Sequence, residues 1–254
     1  MNIDFFGKDE RVRSAAERLS CEKLEYDGEL RILPIPSSRD GEHVTGTELS
    51  FVELVESLPR KSLVIGYDIP EKLCLLLREK RIKYFDAAQD EEFLVKNADI
   101  TAIAALGYVL NSSDKTPYDM SFGIIGYGRI GKALLRLLLF LGASVRVFTG
   151  KAVNEIELGR LGIRAESIDA MSFDEKSGDN PDVIFNTAPI NLSGLFPKKR
   201  TPPGMRVLEL ASGDSFPGVA GVEYLPSLPA RVFPKSAGAA YSDFAIRAIR
   251  KETE

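Results

Sequence analysis

The stretch GIIGYGRIGKALLRLLLFLGASVRVFTGK, Gly123 to Lys151, decides how the rest of the chain is read. An apolar run, Phe122 to Ile125, enters a turn that carries Gly126, Gly128 and Gly131. A helical run, Ile130 to Leu141, leaves the turn, and after Gly142 the strand-like SVRVFT follows. The G-x-G-x-x-G spacing alone is a weak signal; between a strand and a helix it is the fingerprint of dinucleotide binding. Gly126 permits the tight turn, Gly128 lets backbone approach a pyrophosphate, and Gly131 lets the helix pack close to the sheet. The helix start adds free N–H groups and the positive end of the dipole. Tyr127, Arg129 and Ile130 fill the turn and join the predicted cofactor contact. The competing reading is a strand–helix turn that uses glycine only for packing.

The dinucleotide is read from the end of the second strand. NAD sites place Asp or Glu there for the ribose hydroxyls. Here the strand ends Val147-Phe148-Thr149-Gly150-Lys151, with no carboxylate. Thr149 is expected to donate to a 2′-phosphate, and Lys151 or Arg129 to neutralise it. NADP is therefore expected, with NAD as the alternative.

Outward from this stretch, strands alternate with helices. MNIDFFG, ELRILPIP, KSLVIGYD and IKYFDAA read as strands, and DERVRSAAERL, LSFVELVESL and PEKLCLLLREKR as helices. NADITAIAALGYVLNSS reads as a longer helix from about Ala98 to Ser112, with Asn97 or Asp99 as its N-cap. Later strands are SVRVFT, a weak GIRAESI, DVIFNTAP, RVLELAS and a short EYLP; PSLPARVFPKS reads as a loop and SAGAAYSDFAIRAIRKE as a closing helix. The expected fold is α/β: two Rossmann-like, doubly wound parallel-sheet domains with an interdomain cleft. The expected division is an N-terminal substrate domain, 1–96, an interdomain helix and linker, 97–117, a dinucleotide-binding domain, 118–233, and a C-terminal helix, 234–254, packing back on the first domain.

Composition bounds the function. The 254 residues are 44% hydrophobic and 28% charged, with a net charge of −4. That is a soluble globular composition, and it argues against nucleic acid or an anionic membrane as partner. No apolar run reaches about 18 residues, and MNIDFFGKDER lacks the pattern of a signal peptide, so a cytoplasmic location is expected. The two cysteines, Cys21 and Cys74, lie far apart and His43 is the single histidine, so no metal site is expected. His43 lies in a polar loop and is read as solvent-facing rather than as a general base.

With both halves read, the chain resembles the A subunit family of dipicolinate synthase. FGKDERVRSAAERL, LPIPSSRDG, NADITAIAAL, IIGYGRIGKAL, DVIFNTAP, LELAS and LPARVFPKSAG follow that family's order and spacing over nearly the whole chain. The family is in turn similar to the D-2-hydroxyacid dehydrogenases. Their catalytic arginine would fall in Ala211-Ser212-Gly213 and their histidine in Pro234-Lys235-Ser236-Ala237-Gly238, and neither is present. The usual base for a hydroxyl proton is thus missing.

The resemblance implies an oxidoreductase that turns a cyclic dihydro- or tetrahydrodipicolinate-type dicarboxylate into dipicolinate. It also implies a sporulation setting and a second, flavoprotein-like partner subunit. Beyond that, a homo-oligomer is expected. Lys235, after a proline at a helix start, is the catalytic candidate, for a substrate carboxylate or, if desolvated, as a base, with Ser236 sharing the carboxylate. Asn186 is a further candidate for substrate, while Thr187, Ala188, Pro189 and Ser212 are candidates for the cofactor, since strand ends in the second half are where the two meet. Ser37, Ser38, Arg39, Asp99, Thr101, Lys8 and Arg11 are weaker candidates, read first as loop, cap or solvated helix start. Two alternatives remain: a diverged dehydrogenase or reductase for another small anion, and a non-catalytic nucleotide-binding regulatory protein.

Overall fold

Parallel strand pairing organises both halves of the chain in a computed structural model that describes residues 2–7, 9–22, 24, 26–174 and 178–253. Two compact units result, one of residues 1–97 and 229–254, the other of residues 98–228. Each has its own parallel sheet, four strands in the first and six in the second.

In the first unit, β1 (Asn2–Phe5), β2 (Glu29–Ile32), β3 (Ser62–Gly66) and β4 (Lys83–Asp86) pair in sequence order. Every residue of β3 is buried, as the apolar run LVIG after Ser62 suits a strand covered on both faces. Helices α1 (Glu10–Cys21), α2 (Phe51–Ser57) and α3 (Glu71–Glu79) connect the strands. Asp9 caps α1 by accepting from the Arg11 N–H at 2.8 Å, and Val12, Ala15 and Leu19 form its buried stripe. Ser50 and Glu53 cap α2 reciprocally, with bonds of 3.3 and 2.9 Å. The C-terminal helix of this unit, α8 (Pro234–Thr253), lies on α1 so closely that a β-carbon on Gly238 would sit 2.6 Å from the Arg11 carbonyl oxygen. Tyr241 of α8 is fully buried and donates to the Leu33 carbonyl at 2.9 Å, at the carboxyl end of β2.

Helix α4 spans Glu91–Asn111; its first seven residues belong to the first unit and the rest to the second. It begins earlier than its composition suggests. The N-cap is Asp90, which accepts from the Phe93 N–H at 2.7 Å, not Asn97 or Asp99. Asn97 lies within the helix, and Asp99 pairs instead with Arg136 at 2.7 Å. α4 has the length and apolar composition of a membrane span, yet Phe93, Ala98, Ala102, Ala105 and Val109 are buried within protein. A core helix has the same composition.

The second unit holds β5 (Ser121–Ile125), α5 (Arg129–Phe140), β6 (Ser144–Thr149), α6 (Ala152–Arg160), β7 (Arg164–Ser167), β8 (Val183–Asn186), β9 (Arg206–Glu209) and β10 (Val222–Tyr224). The strands lie in the order β10-β9-β8-β5-β6-β7, so the winding reverses between β5 and β8. That reversal is the switch point at which doubly wound sheets take ligands. α5 buries Ala133, Leu134, Leu135 and Leu138, each leucine contributing about 1.5–3 kcal/mol. Phe122 of β5 stacks on Phe185 of β8, with ring centroids 6.1 Å apart. α6 buries a single residue, Leu158, and so leaves little apolar periodicity to read. A five-residue helix, α7 (Leu228–Val232), occupies part of the stretch read as a proline-rich loop.

Candidate dinucleotide site

The glycine turn joins β5 to α5 at the switch point, and its three glycines answer to different constraints. Gly126 has φ +95°, and a β-carbon there would lie 2.6 Å from the Thr187 hydroxyl oxygen. Gly131 sits against backbone, 2.2 Å from a β-carbon position to the Gly126 carbonyl oxygen. Gly128 has an ordinary φ of −83°, and nothing of the protein lies within 4 Å of where its β-carbon would be. The protein itself therefore requires glycine at the first and third positions and leaves open space at the second.

Gly128 is also the N-cap of α5, and no side chain caps that helix start. Its first N–H groups lack intrahelical partners and point along the positive end of the dipole. Open space over uncapped N–H groups fits a pyrophosphate. Thr187, directly after β8, braces the turn by donating its hydroxyl to the Ile125 carbonyl at 2.9 Å. Ala188 is partly buried beside Gly126, whereas Pro189 is exposed. Tyr127 and Ile130 are partly buried and Arg129 is exposed. The Tyr127 hydroxyl donates to Glu157 at 3.5 Å, and Lys132 lies 4.8 Å above its ring. Burial pushes the Tyr127 phenol up from its ordinary value.

At the end of β6 the structure corrects the role given to Thr149. Its side chain is 2% exposed, and its hydroxyl oxygen accepts from the Lys151 N–H at 3.2 Å and from Asn154 at 2.9 Å. Thr149 therefore shapes the start of α6 and does not face outward. Lys151, the N-cap residue of α6, is exposed.

Asn186 needs a similar correction. It is fully buried at the end of β8 and turns inward. Its amide donates to Glu209 at 2.9 and 3.1 Å and to the Ala188 carbonyl at 3.1 Å. Glu209, at the carboxyl end of β9 and 3% exposed, is the residue that sequence reasoning passed over. It also accepts from the Ala211 N–H at 2.8 Å and the Ser215 N–H at 3.3 Å. Burial pushes its carboxyl up despite these donors. The available signal was an acid ending a strand that is apolar on either side. Ser212, in the loop after β9, is exposed.

In the first unit, Lys235 and Ser236 are exposed in the first turn of α8. Arg11 is 4% exposed and bonds Asp9 and the Ile35 carbonyl, which makes it a structural cation. Ser37 is fully buried and exchanges hydrogen bonds with the Tyr67 backbone at 2.9 Å. Ser38 turns to Asp40, and Arg39 is exposed. Thr101 is buried within α4. Lys8 lies outside the described residues. Among the described residues no group of three or more His, Cys, Asp or Glu is placed to hold a metal.

Volume does not select the site. A cleft of about 920 Å³ opens at the amino ends of β3 and β4 and is lined by Arg60, Lys61, Arg81 and Lys83. Parallel α/β sheets carry their chemistry at the opposite, carboxyl ends.

No protein-family model and no curated protein sequence matches the chain. Solved structures do. The dipicolinate synthase A chain from Bacillus subtilis superposes with a TM-score of 0.77 at 17% identity, covering 99% of this chain and 97% of that one. Its counterpart, the dipicolinate synthase A protein from Bacillus halodurans, gives 0.76 at 19% identity, over 98% and 97%. A transhydrogenase from Sinorhizobium meliloti gives 0.58 at 15% identity, over 89% and 74%. The chain therefore has the fold of these dipicolinate synthase proteins, a mixed α/β fold of two parallel sheets that it shares with Rossmann-type dehydrogenases.

Proposed function

We propose that the chain is a nicotinamide-dinucleotide-dependent oxidoreductase of the dipicolinate synthase A type. The observation that carries this reading is the open space at Gly128 over the uncapped start of α5, flanked by two glycines that the backbone requires. When bound, the nicotinamide would accept a hydride. The chain's own residues would bind and orient. Backbone N–H groups from Gly128 onward would hold the pyrophosphate. Lys151, with Arg129, would neutralise the 2′-phosphate of NADP, since no carboxylate ends β6 to favour NAD. Lys235 and Ser236 would hold a carboxylate of a cyclic, partly reduced pyridine dicarboxylate. Aromatisation of that ring supplies driving force, so the demand on the protein is mainly positioning. A cytoplasmic setting and a second, flavoprotein-like partner complete the proposal.

Calorimetric titration with NADPH, then NADH, tests the reading. Binding that is lost in Gly128→Val and weakened for NADPH in Lys151→Ala supports it; a folded chain that binds neither removes it. Dihydrodipicolinate turnover reduced by Lys235→Ala would support the substrate assignment, and turnover unchanged by that substitution would remove Lys235. One observation favours a second reading: Ser212 and Lys235 stand where hydroxyacid dehydrogenases carry arginine and histidine. A non-catalytic nucleotide-binding protein predicts cofactor binding without turnover.

A further inference from the structure

Glu209 combines burial, charge and isolation. It is paired in register with Asn186 of β8 and Tyr224 of β10, and is 3% exposed. Both oxygens face donors: the Asn186 amide and the backbone N–H groups of Ala211 and Ser215. A ring of donors favours the ionised form. No lysine or arginine pairs with it among the described residues. The other titratable groups nearby are Tyr224, on β10, and Asp214, which accepts from the Tyr224 hydroxyl at 2.7 Å. Neither supplies positive charge.

Burying a carboxylate without a counter-charge is costly, and a neutral amide or an apolar side chain would close a strand end more cheaply. An acid kept where ionisation is so costly points to a partner outside the chain. The strand order locates that partner's class. The pyrophosphate belongs at the α5 start, and the adenosine ribose at the end of β6. The remaining half of a dinucleotide then falls on the β8–β9 side of the switch point, the side that Glu209 occupies. The nicotinamide ring there is a cation when oxidised and neutral when reduced.

We propose that Glu209 is the residue by which the second unit distinguishes the redox states of a bound nicotinamide, favouring the oxidised ring. The inference rests on the dinucleotide reading above. Glu209 acts through its field and through the loops it holds, without being a catalytic residue.

The test is the ratio of affinities for the oxidised and reduced forms of whichever pair, NADP⁺/NADPH or NAD⁺/NADH, binds the wild-type chain more tightly. A purely structural clamp changes both affinities together. A charge effect changes their ratio. In Glu209→Gln the ratio should move at least about fivefold towards the reduced form, the scale of one nearby charge even when screened as in bulk water. Glu209→Asp should keep the wild-type ratio even if both affinities fall. Should Glu209→Gln fail to fold, the wild-type ratio itself reports: preference for the oxidised form should weaken as pH falls and Glu209 is protonated. A ratio unchanged in Glu209→Gln, or indifferent to pH in the wild type, overturns the inference while leaving dinucleotide binding intact. Absence of binding by either form to the folded wild-type chain overturns both.

Discussion

A β-carbon placed on Gly131 would stand 2.2 Å from the carbonyl oxygen of Gly126. Helix α5 can therefore start where it does only because position 131 has no side chain. Gly131→Ala must push the helix off the turn and should cost at least about 3 kcal/mol, read by urea denaturation. Gly128→Ala meets open space and should leave the denaturation midpoint nearly unchanged. The pair of variants separates glycine required by the fold from glycine left free for a ligand. Equal destabilisation by both would contradict the geometry.

Asn186 is the neutral half of a buried pair, and its amide serves both oxygens of Glu209. Asn186→Ala removes a bond to a charged group and should cost about 2–3 kcal/mol. Because burial raises the Glu209 carboxyl, its contribution to stability is fully present below the unfolded carboxylate range and is lost as pH rises through its folded value. The Asn186→Ala penalty should therefore be larger at pH 7, where the carboxylate needs its donors, than near pH 4. A penalty independent of pH would mean that Glu209 is not charged at neutral pH.

Much of this was legible in the sequence where a single constraint governs. Phe122 to Thr149 had strand, turn and helix patterns that agree with one another, so local propensity and global fold gave one answer. The start of α4 was not legible, because Asp90, Asn97 and Asp99 are all good caps; the structure uses the first, with Phe93 buried one turn on. Thr149 and Asn186 were found as residues but given outward roles; both turn inward, and burial at a strand end has no signature in a short polar run. Glu209 was missed although it is an acid with a leucine on either side at a strand end. That pattern marks the position, and its 3% exposure shows that the side chain turns inward.

Tyr241 is fully buried in α8, with its hydroxyl donating to Leu33 at 2.9 Å and lying 3.4 Å from the Ile65 carbonyl. These carbonyls sit at the carboxyl ends of β2 and β3, so the bond anchors α8 on its own unit's sheet. Tyr241→Phe should cost about 1 kcal/mol, and Tyr241→Ala about 3–5 kcal/mol through the cavity beside Phe93 and Phe244. Burial raises the phenol, so spectrophotometric titration of the folded chain should show Tyr241 unionised through the range in which exposed tyrosines titrate. Ionisation in that range would mean that the helix is not seated.

His43 is the single histidine, and its resonances are therefore assigned without ambiguity. Its Nδ1 lies 2.9 Å from a carboxylate oxygen of Asp40, whose other oxygen accepts from the backbone N–H groups of Glu42 and His43 and from Ser38. The bond to Asp40 pushes the imidazole up, with Glu48 and Glu42 adding to the effect. The N–H groups of His43 and Glu42 hold the Asp40 carboxyl well below the usual carboxylate range. For the imidazole the sign is that of a raised group: its stabilisation is present below about pH 6.5, the unfolded value, and fades as pH rises through the folded one. Asp40 behaves oppositely, its contribution fading only on strong acidification. A proton NMR titration should place His43 above 6.5 in the wild type and return it towards that value in Asp40→Asn. An unshifted wild-type titration would show that the Asp40–His43 bond does not persist in solution, and that the loop after β2 is not held as described.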